Sequence, residues 1–265
     1  MTITDVFPRT LFAGKTVFVT GGGSGINLGI ARNFAALGAK IGICGRTLEK
    51  LESAAAELSA LGASVSYAVA DVRDPAALEA ALAKARAELG PVNVLVAGAA
   101  GNFLVPAEKL SPNGFKTVVD IDLLGTYNVF RIGFDVARRP GASFIAITAP
   151  QGAMPLPQQV HVCAAKAGVN MVVRVLAMEW GQAGVRVNAI SPGPILGTEG
   201  VERMASTAAD KAAWADRTPI RRFGVPADIA NMAIFLSSPE GSYVTGSVVD
   251  CDGGMHLGDA SGDYL

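Results

Sequence analysis

Thr20-Gly21-Gly22-Gly23-Ser24-Gly25-Ile26-Asn27-Leu28-Gly29 is a glycine-dense turn, and its reading decides the fold. Residues 15–19 before it form a short apolar run that reads as a buried strand. Residues 30–37 after it carry apolar side chains at helical spacing and stop at Gly38. Glycine lets a backbone turn tightly and approach a ligand, and free N–H groups at a helix start attract anionic phosphate. Strand, glycine turn and helix in this order are the sequence signal of a dinucleotide-binding unit, with an ordinary glycine-rich turn as the alternative. Gly21, Gly23, Ser24, Gly25 and Ile26 are the expected phosphate cradle.

Working outward, strand and helix signals alternate. Strands are expected at 40–44, 64–70, 92–97, 143–148, 185–189 and 247–250. Helices are expected at 47–60, 75–89, 113–138, 158–181, 199–215 and 226–236. Pro75 suits a helix start and Gly90 a helix end, and Asp74 is a candidate cap. Such alternation predicts a single α/β domain over 1–265, a Rossmann-type, doubly wound, mostly parallel sheet with helices on both faces. Ligands of such sheets sit outside the carboxyl ends of the strands, so residues just after each strand are the ones to question.

Composition narrows the function. Half of the 265 residues are apolar, 17% are charged and the net charge is -1, so no basic footprint for nucleic acid is present. Cys44, Cys163 and Cys251 have no metal-type spacing, no metal site is expected, and an odd count suits a reducing compartment. The opening twelve residues lack the pattern of a secretory leader, and no apolar run reads as a membrane span. Asp263-Tyr264-Leu265 is not a peroxisomal address. A cytoplasmic protein is expected.

The residue after the second strand selects the cofactor. Arg46 stands where chains that bind NAD place an acid for the ribose 2′-hydroxyl. A guanidinium there suits a 2′-phosphate, so NADPH is expected. Asp71, followed by Val72, offers a carboxylate to an adenine amino group.

The chain resembles the short-chain dehydrogenase/reductase family over nearly its whole length. The resemblance is carried by Thr20-Gly21-Gly22-Gly23-Ser24-Gly25, Asp71-Val72, Ala99-Ala100-Gly101, Ala164-Ala165-Lys166-Ala167-Gly168, Val185-Arg186-Val187-Asn188 and Ser191-Pro192-Gly193-Pro194. That family carries a proton-donating Tyr four residues before its Lys, one helical turn away. Here Val162 stands in that place, and Gln158, Gln159 and Gln151 occupy three other positions where relatives place a Tyr. Near the family's serine lies Ala149, next to Thr148. Two further departures are Asn27, in place of a glycine of the turn, and Ala97-Gly98, where relatives have an asparagine. Asn27 either bonds the phosphates or crowds them.

Within the family, the chain is similar to the 2,4-dienoyl-CoA reductase branch, through Ala99-Ala100-Gly101-Asn102-Phe103-Leu104, Phe115-Lys116-Thr117-Val118-Val119-Asp120-Ile121-Asp122, Gln159-Val160-His161 and Pro192-Gly193-Pro194-Ile195-Leu196-Gly197-Thr198-Glu199-Gly200. That branch also lacks the tyrosine. The resemblance implies an NADPH-dependent reduction of an unsaturated acyl-CoA thioester, with Asp122, Lys166 and a water delivering the proton. It implies that Ala99, Lys166, Pro192, Gly193, Ile195 and Thr198 help hold the cofactor. It further implies that Arg73, Asn102, Phe103, Ser111, Asn113 and Arg203 contact the acyl-CoA, with a lid at 199–222 and a homotetramer. Surface charge for Arg73 and Arg203, a core place for Phe103 and helix capping for Ser111 and Asn113 are the alternatives. His161 reads better as a satisfied buried histidine than as a base. A non-catalytic binding member, or a 3-oxoacyl carbonyl reductase with an unconventional acid, are the other readings of the whole chain.

Overall fold

The structure, a computed structural model, describes residues 3–262 apart from the side chains of Asp5, Arg203 and Met204. Helix α1 (Ile3–Val6) precedes β1 (Thr16–Thr20), α2 (Gly25–Ala36), β2 (Lys40–Gly45), α3 (Leu48–Ala60), β3 (Val65–Val69), α4 (Pro75–Leu89) and β4 (Val92–Ala97). Then come α5 (Pro112–Val118), α6 (Gly125–Val136), β5 (Ala142–Ile147), α7 (Val160–Trp180), β6 (Val185–Pro192), α8 (Glu199–Met204), α9 (Ala208–Arg217), α10 (Pro226–Ser237) and β7 (Val248–Cys251). The seven strands form one sheet in the order β3-β2-β1-β4-β5-β6-β7, and every pairing is parallel.

Strands buried on both faces read as continuous apolar runs, and β1 is buried throughout. Its side chains alternate: Val17 and Val19 join a core with Phe34 of α2, Leu58 of α3 and Ile229 of α10. Phe18 joins the opposite core with Leu82 of α4, Phe130 of α6 and Val173 of α7. One sheet thus has two helical coats. Asp74 caps α4, its carboxylate accepting from the backbone N–H groups of Ala76 and Ala77 at 3.0 and 3.1 Å.

Two expected helices are interrupted. The run expected at 113–138 contains a π-helical turn, Val119–Leu124, between α5 and α6. The helix expected at 199–215 is split into α8 and α9, with α9 started by a capping box of Thr207 and Asp210. By length and hydropathy alone, α7 with the turn after it (Val160–Ala183) passes for a membrane-crossing helix. Its buried face, including Val169, Val173 and Leu176, packs in the core against the sheet, as a central helix does. The segment after β7 folds back over α9, where Ala260 N–H donates to the Arg217 carbonyl at 3.0 Å.

Candidate active site

The strand order turns back between β1 and β4, and a crevice opens there beyond the strand ends. Thr20, fully buried at the end of β1, accepts from the N–H of Gly98 at 3.1 Å and ties that end to the segment after β4. Gly21 takes φ +69°, and a Cβ there would lie 2.9 Å from Asn27 Nδ2. The cavity that runs along the strand ends holds about 600 Å³.

All fourteen expected cofactor residues line this one cavity: Gly21, Gly23, Ser24, Gly25, Ile26, Arg46, Asp71, Val72, Ala99, Lys166, Pro192, Gly193, Ile195 and Thr198. A dinucleotide fits them. A Cβ at Gly25 would meet only Thr198 Cγ2 at 3.9 Å, so the cradle is open over the start of α2. Arg46 is exposed at the cavity edge beside Asp71. Asp71 is itself clasped by Arg73, with Nε–Oδ1 at 3.0 Å and Nη2–Oδ2 at 2.7 Å. That guanidinium holds the Asp71 carboxyl below the usual carboxylate range.

Asn27 does not lie along the cradle as a free amide. Its Nδ2 donates to the Gly98 carbonyl at 2.9 Å, while its Oδ1 is buried with no hydrogen-bond partner among the described residues. A Cβ on Gly98 would stand 2.0 Å from that Oδ1, so residue 98 must be glycine for Asn27 to lie there. The two departures noted in the sequence are therefore one feature: an asparagine amide reaches the end of β4 from α2.

In the same cavity Asp122 and Lys166 meet. Asp122 sits in the π-helical turn, which widens the helix and is a recurrent feature of functional sites. Gly125 lets that turn approach the strand ends, since a Cβ there would lie 2.5 Å from Val72 Cγ2. Asp122 Oδ1 accepts from the N–H of Gly101 at 2.7 Å, and Oδ2 lies 3.1 Å from Lys166 Nζ, off the axis of a hydrogen bond. Lys166 Nζ also donates to the Ile147 carbonyl at 3.1 Å. Both side chains are nearly sealed, at 1% and 7% exposure, so the charges depend on each other. Val162, in the place of the family tyrosine, lines the cavity with no polar atom to offer. Thr148 spends its hydroxyl proton on Asn170 Oδ1 at 2.8 Å.

Among the expected acyl-CoA residues, Asn102 lines the cavity, and Arg73, Phe103, Ser111 and Asn113 do not. Arg73 is held by Asp71, and Ser111 caps α5 by accepting from Gly114 N–H at 3.0 Å. The Asn113 carbonyl accepts from the Thr117 hydroxyl. Phe103 stacks on His161 with ring centroids 4.4 Å apart. The side chain of Arg203 lies outside the described residues. Glu199, Val201 and Trp214 roof the cavity, within the segment expected to be a lid.

His161 is fully buried as expected, but it is not satisfied: among the described residues neither ring nitrogen has a hydrogen-bond partner. Burial pushes its pKa down, against the opposing pull of the Phe103 backbone and the Asp122 carboxylate. Sequence reasoning also missed a cluster of amides beside the pair. Gln159 Oε1 accepts from Asn102 Nδ2 at 3.2 Å and from Gln151 Nε2 at 3.0 Å. The glutamines were visible as replacements for tyrosine, but nothing in their spacing showed that they meet.

Residues 21–256 match the family model described as enoyl-(acyl carrier protein) reductase. A peroxisomal 2,4-dienoyl-CoA reductase, (3E)-enoyl-CoA-producing, from Pongo abelii is 42% identical over 254 residues, covering 95% of this chain and 87% of its own. Among solved structures, a citronellol catabolism dehydrogenase from Pseudomonas aeruginosa is 35% identical with TM-score 0.83, covering 95% of this chain and 98% of its own. A short-chain type dehydrogenase/reductase from Mycobacterium ulcerans is 32% identical with TM-score 0.88, covering 94% of this chain and 92% of its own. With residues 21–256 matched by the family model and relatives 32–42% identical over most of their length, the chain belongs to the short-chain dehydrogenase/reductase family of oxidoreductases.

Proposed function

We infer that this oxidoreductase reduces a 2,4-dienoyl-CoA thioester with NADPH. The observation that carries the reading is the sealed Asp122–Lys166 pair facing a cavity where the phenol of a ketone reductase is replaced by Val162. When bound, the nicotinamide supplies hydride to the distal carbon of the conjugated system. The electron pair then spreads to the thioester oxygen, and a proton added at the carbon next to the thioester leaves a 3-enoyl product, as in the name of the Pongo abelii relative. Conjugation removes the need to protonate an alkoxide, so a phenol is dispensable.

The pair's geometry supports a division of roles. Asp122 accepts from the Gly101 N–H through Oδ1 and faces the Lys166 ammonium at 3.1 Å through Oδ2, so it acts as the anchor. Lys166 then holds the transferable proton and passes it to a water in the cavity, with Asp122 keeping the ammonium aimed. Arg46 supports the choice of NADPH, because residues 40–48, β2 and the turn after it, carry no Asp or Glu for a ribose 2′-hydroxyl. Arg46→Ala is expected to weaken NADPH binding by about tenfold or more, a loss in the range of one charge-assisted contact, and to leave NADH binding nearly unchanged. Calorimetric titration with both dinucleotides checks this.

A homotetramer belongs to the same proposal. It is supported by Met171, Val175 and Met178, which leave an apolar stripe exposed on α7. Cytoplasmic placement is supported by the cysteines Cys44, Cys163 and Cys251, all free thiols. The test of the function is direct: NADPH bound to purified protein should be oxidised on adding a 2,4-dienoyl-CoA and not a saturated acyl-CoA. NADPH and dienoyl-CoA that both bind without turnover would instead favour a binding module.

A further inference from the structure

Gln159 has an unusual position and an unusual set of partners. It is the N-cap residue of α7, yet its side chain makes no capping bond to the open N–H groups of that helix. It turns instead to the cavity, where it is 6% exposed. Its Oε1 accepts from two amides, Asn102 Nδ2 and Gln151 Nε2, which occupies both lone pairs and fixes which end of the amide faces inward. The opposite end, Nε2, has no hydrogen bond among the described residues and is not among the sealed, unsatisfied atoms. A preorganised N–H donor is thus left facing the cavity. Lys166 follows seven residues later, about two helical turns along the same face.

We propose that Gln159 Nε2 is the donor that binds the thioester oxygen of the acyl-CoA and stabilises the negative charge that gathers there. The proposal rests on the acyl-CoA reading given above and adds the residue that recognises the carbonyl. A neutral donor suits this task better than a second cation. Lys166 is committed to Asp122 and the Ile147 carbonyl, and an amide held by two neighbours needs no reorganisation as charge develops. Proton balance is unaffected, since Gln159 donates a hydrogen bond and transfers nothing.

The test uses the full-length protein with NADP⁺ bound, so that no turnover occurs, and the near-ultraviolet absorbance of an added 2,4-dienoyl-CoA. A donor on the thioester oxygen polarises the conjugated system and shifts its band to longer wavelength. The shift is expected with the unaltered protein and with Asp122→Asn, and it should be lost in Gln159→Leu and Gln159→Glu. Turnover with NADPH should fall about 100-fold in Gln159→Leu, the loss typical of one oxyanion donor, with kcat affected more than KM. Circular dichroism establishes folding, and Gln159→Glu, nearly isosteric, carries the test if the leucine variant does not fold. A dienoyl-CoA that binds and keeps its shift in the folded Gln159 variants overturns this proposal alone. A dienoyl-CoA that does not bind the unaltered protein overturns the acyl-CoA reading, and this proposal with it.

Discussion

Lys166→Met is expected to destabilise the protein by about 3–5 kcal/mol, the cost of removing one partner from a buried ion pair. In a chain of this size that lowers Tm by on the order of 10 °C. The cause is local. Asp122 is 1% exposed, and without the ammonium the partner left to its carboxylate among the described residues is the N–H of Gly101, so a buried charge would stand without its counter-ion. Lys166→Met combined with Asp122→Asn should recover most of the lost Tm, since a neutral amide can still accept from Gly101. Turnover should stay absent in both variants. Thermal melts followed by circular dichroism, run beside NADPH oxidation, separate the stability of the pair from its chemistry. Equal Tm for Lys166→Met and the unaltered protein would mean that the two charges do not depend on each other.

The second large effect is expected at the dinucleotide cradle. In Gly98→Ala, the new Cβ would stand 2.0 Å from Asn27 Oδ1 and 2.7 Å from its Nδ2. Asn27 must swing away, lose its bond to the Gly98 carbonyl and enter the cavity that it lines. Overpacking of this kind costs about 1–3 kcal/mol, so NADPH affinity should fall by about 10- to 100-fold. Asn27→Gly should restore it, because the obstructing side chain is gone. The coupling between the two changes, measured as a double-mutant cycle of NADPH Kd values, should exceed about 1 kcal/mol. Additive effects would show that Asn27 and Gly98 do not form one unit.

These two sites show what could be read in the sequence and what could not. The strands were legible because a sheet covered on both faces needs unbroken apolar runs, such as residues 92–97 of β4. Pro75 and Gly90 bounded α4 correctly because each leaves a specific conformational mark. The π-helical turn at Val119–Leu124 was hidden, since Val119, Ile121 and Leu123 suit an ordinary helix equally well and the widened turn follows from packing against Val72 and Gly101. The cofactor cradle was readable because glycines and strand ends define it locally. The acyl-CoA side was less so. Arg73 and Ser111 found nearer partners in Asp71 and Gly114, and such pairings depend on side-chain direction rather than spacing. Asn27 and Ala97 looked like two independent losses until the distance between Asn27 and Gly98 joined them.

A buried carboxylate–ammonium pair doing the work of an absent phenol is the centre of this account, and Asp122→Asn probes it with the least disturbance of shape. The decisive measurement is single-turnover oxidation of bound NADPH after mixing with excess 2,4-dienoyl-CoA, accompanied by a calorimetric Kd for NADPH. The account predicts a rate at least about 100-fold slower in Asp122→Asn, in the range typical of lost acid–base catalysis, with an unchanged Kd. An undiminished rate at that same Kd would contradict it, because Lys166 would then deliver its proton without Asp122 to aim it.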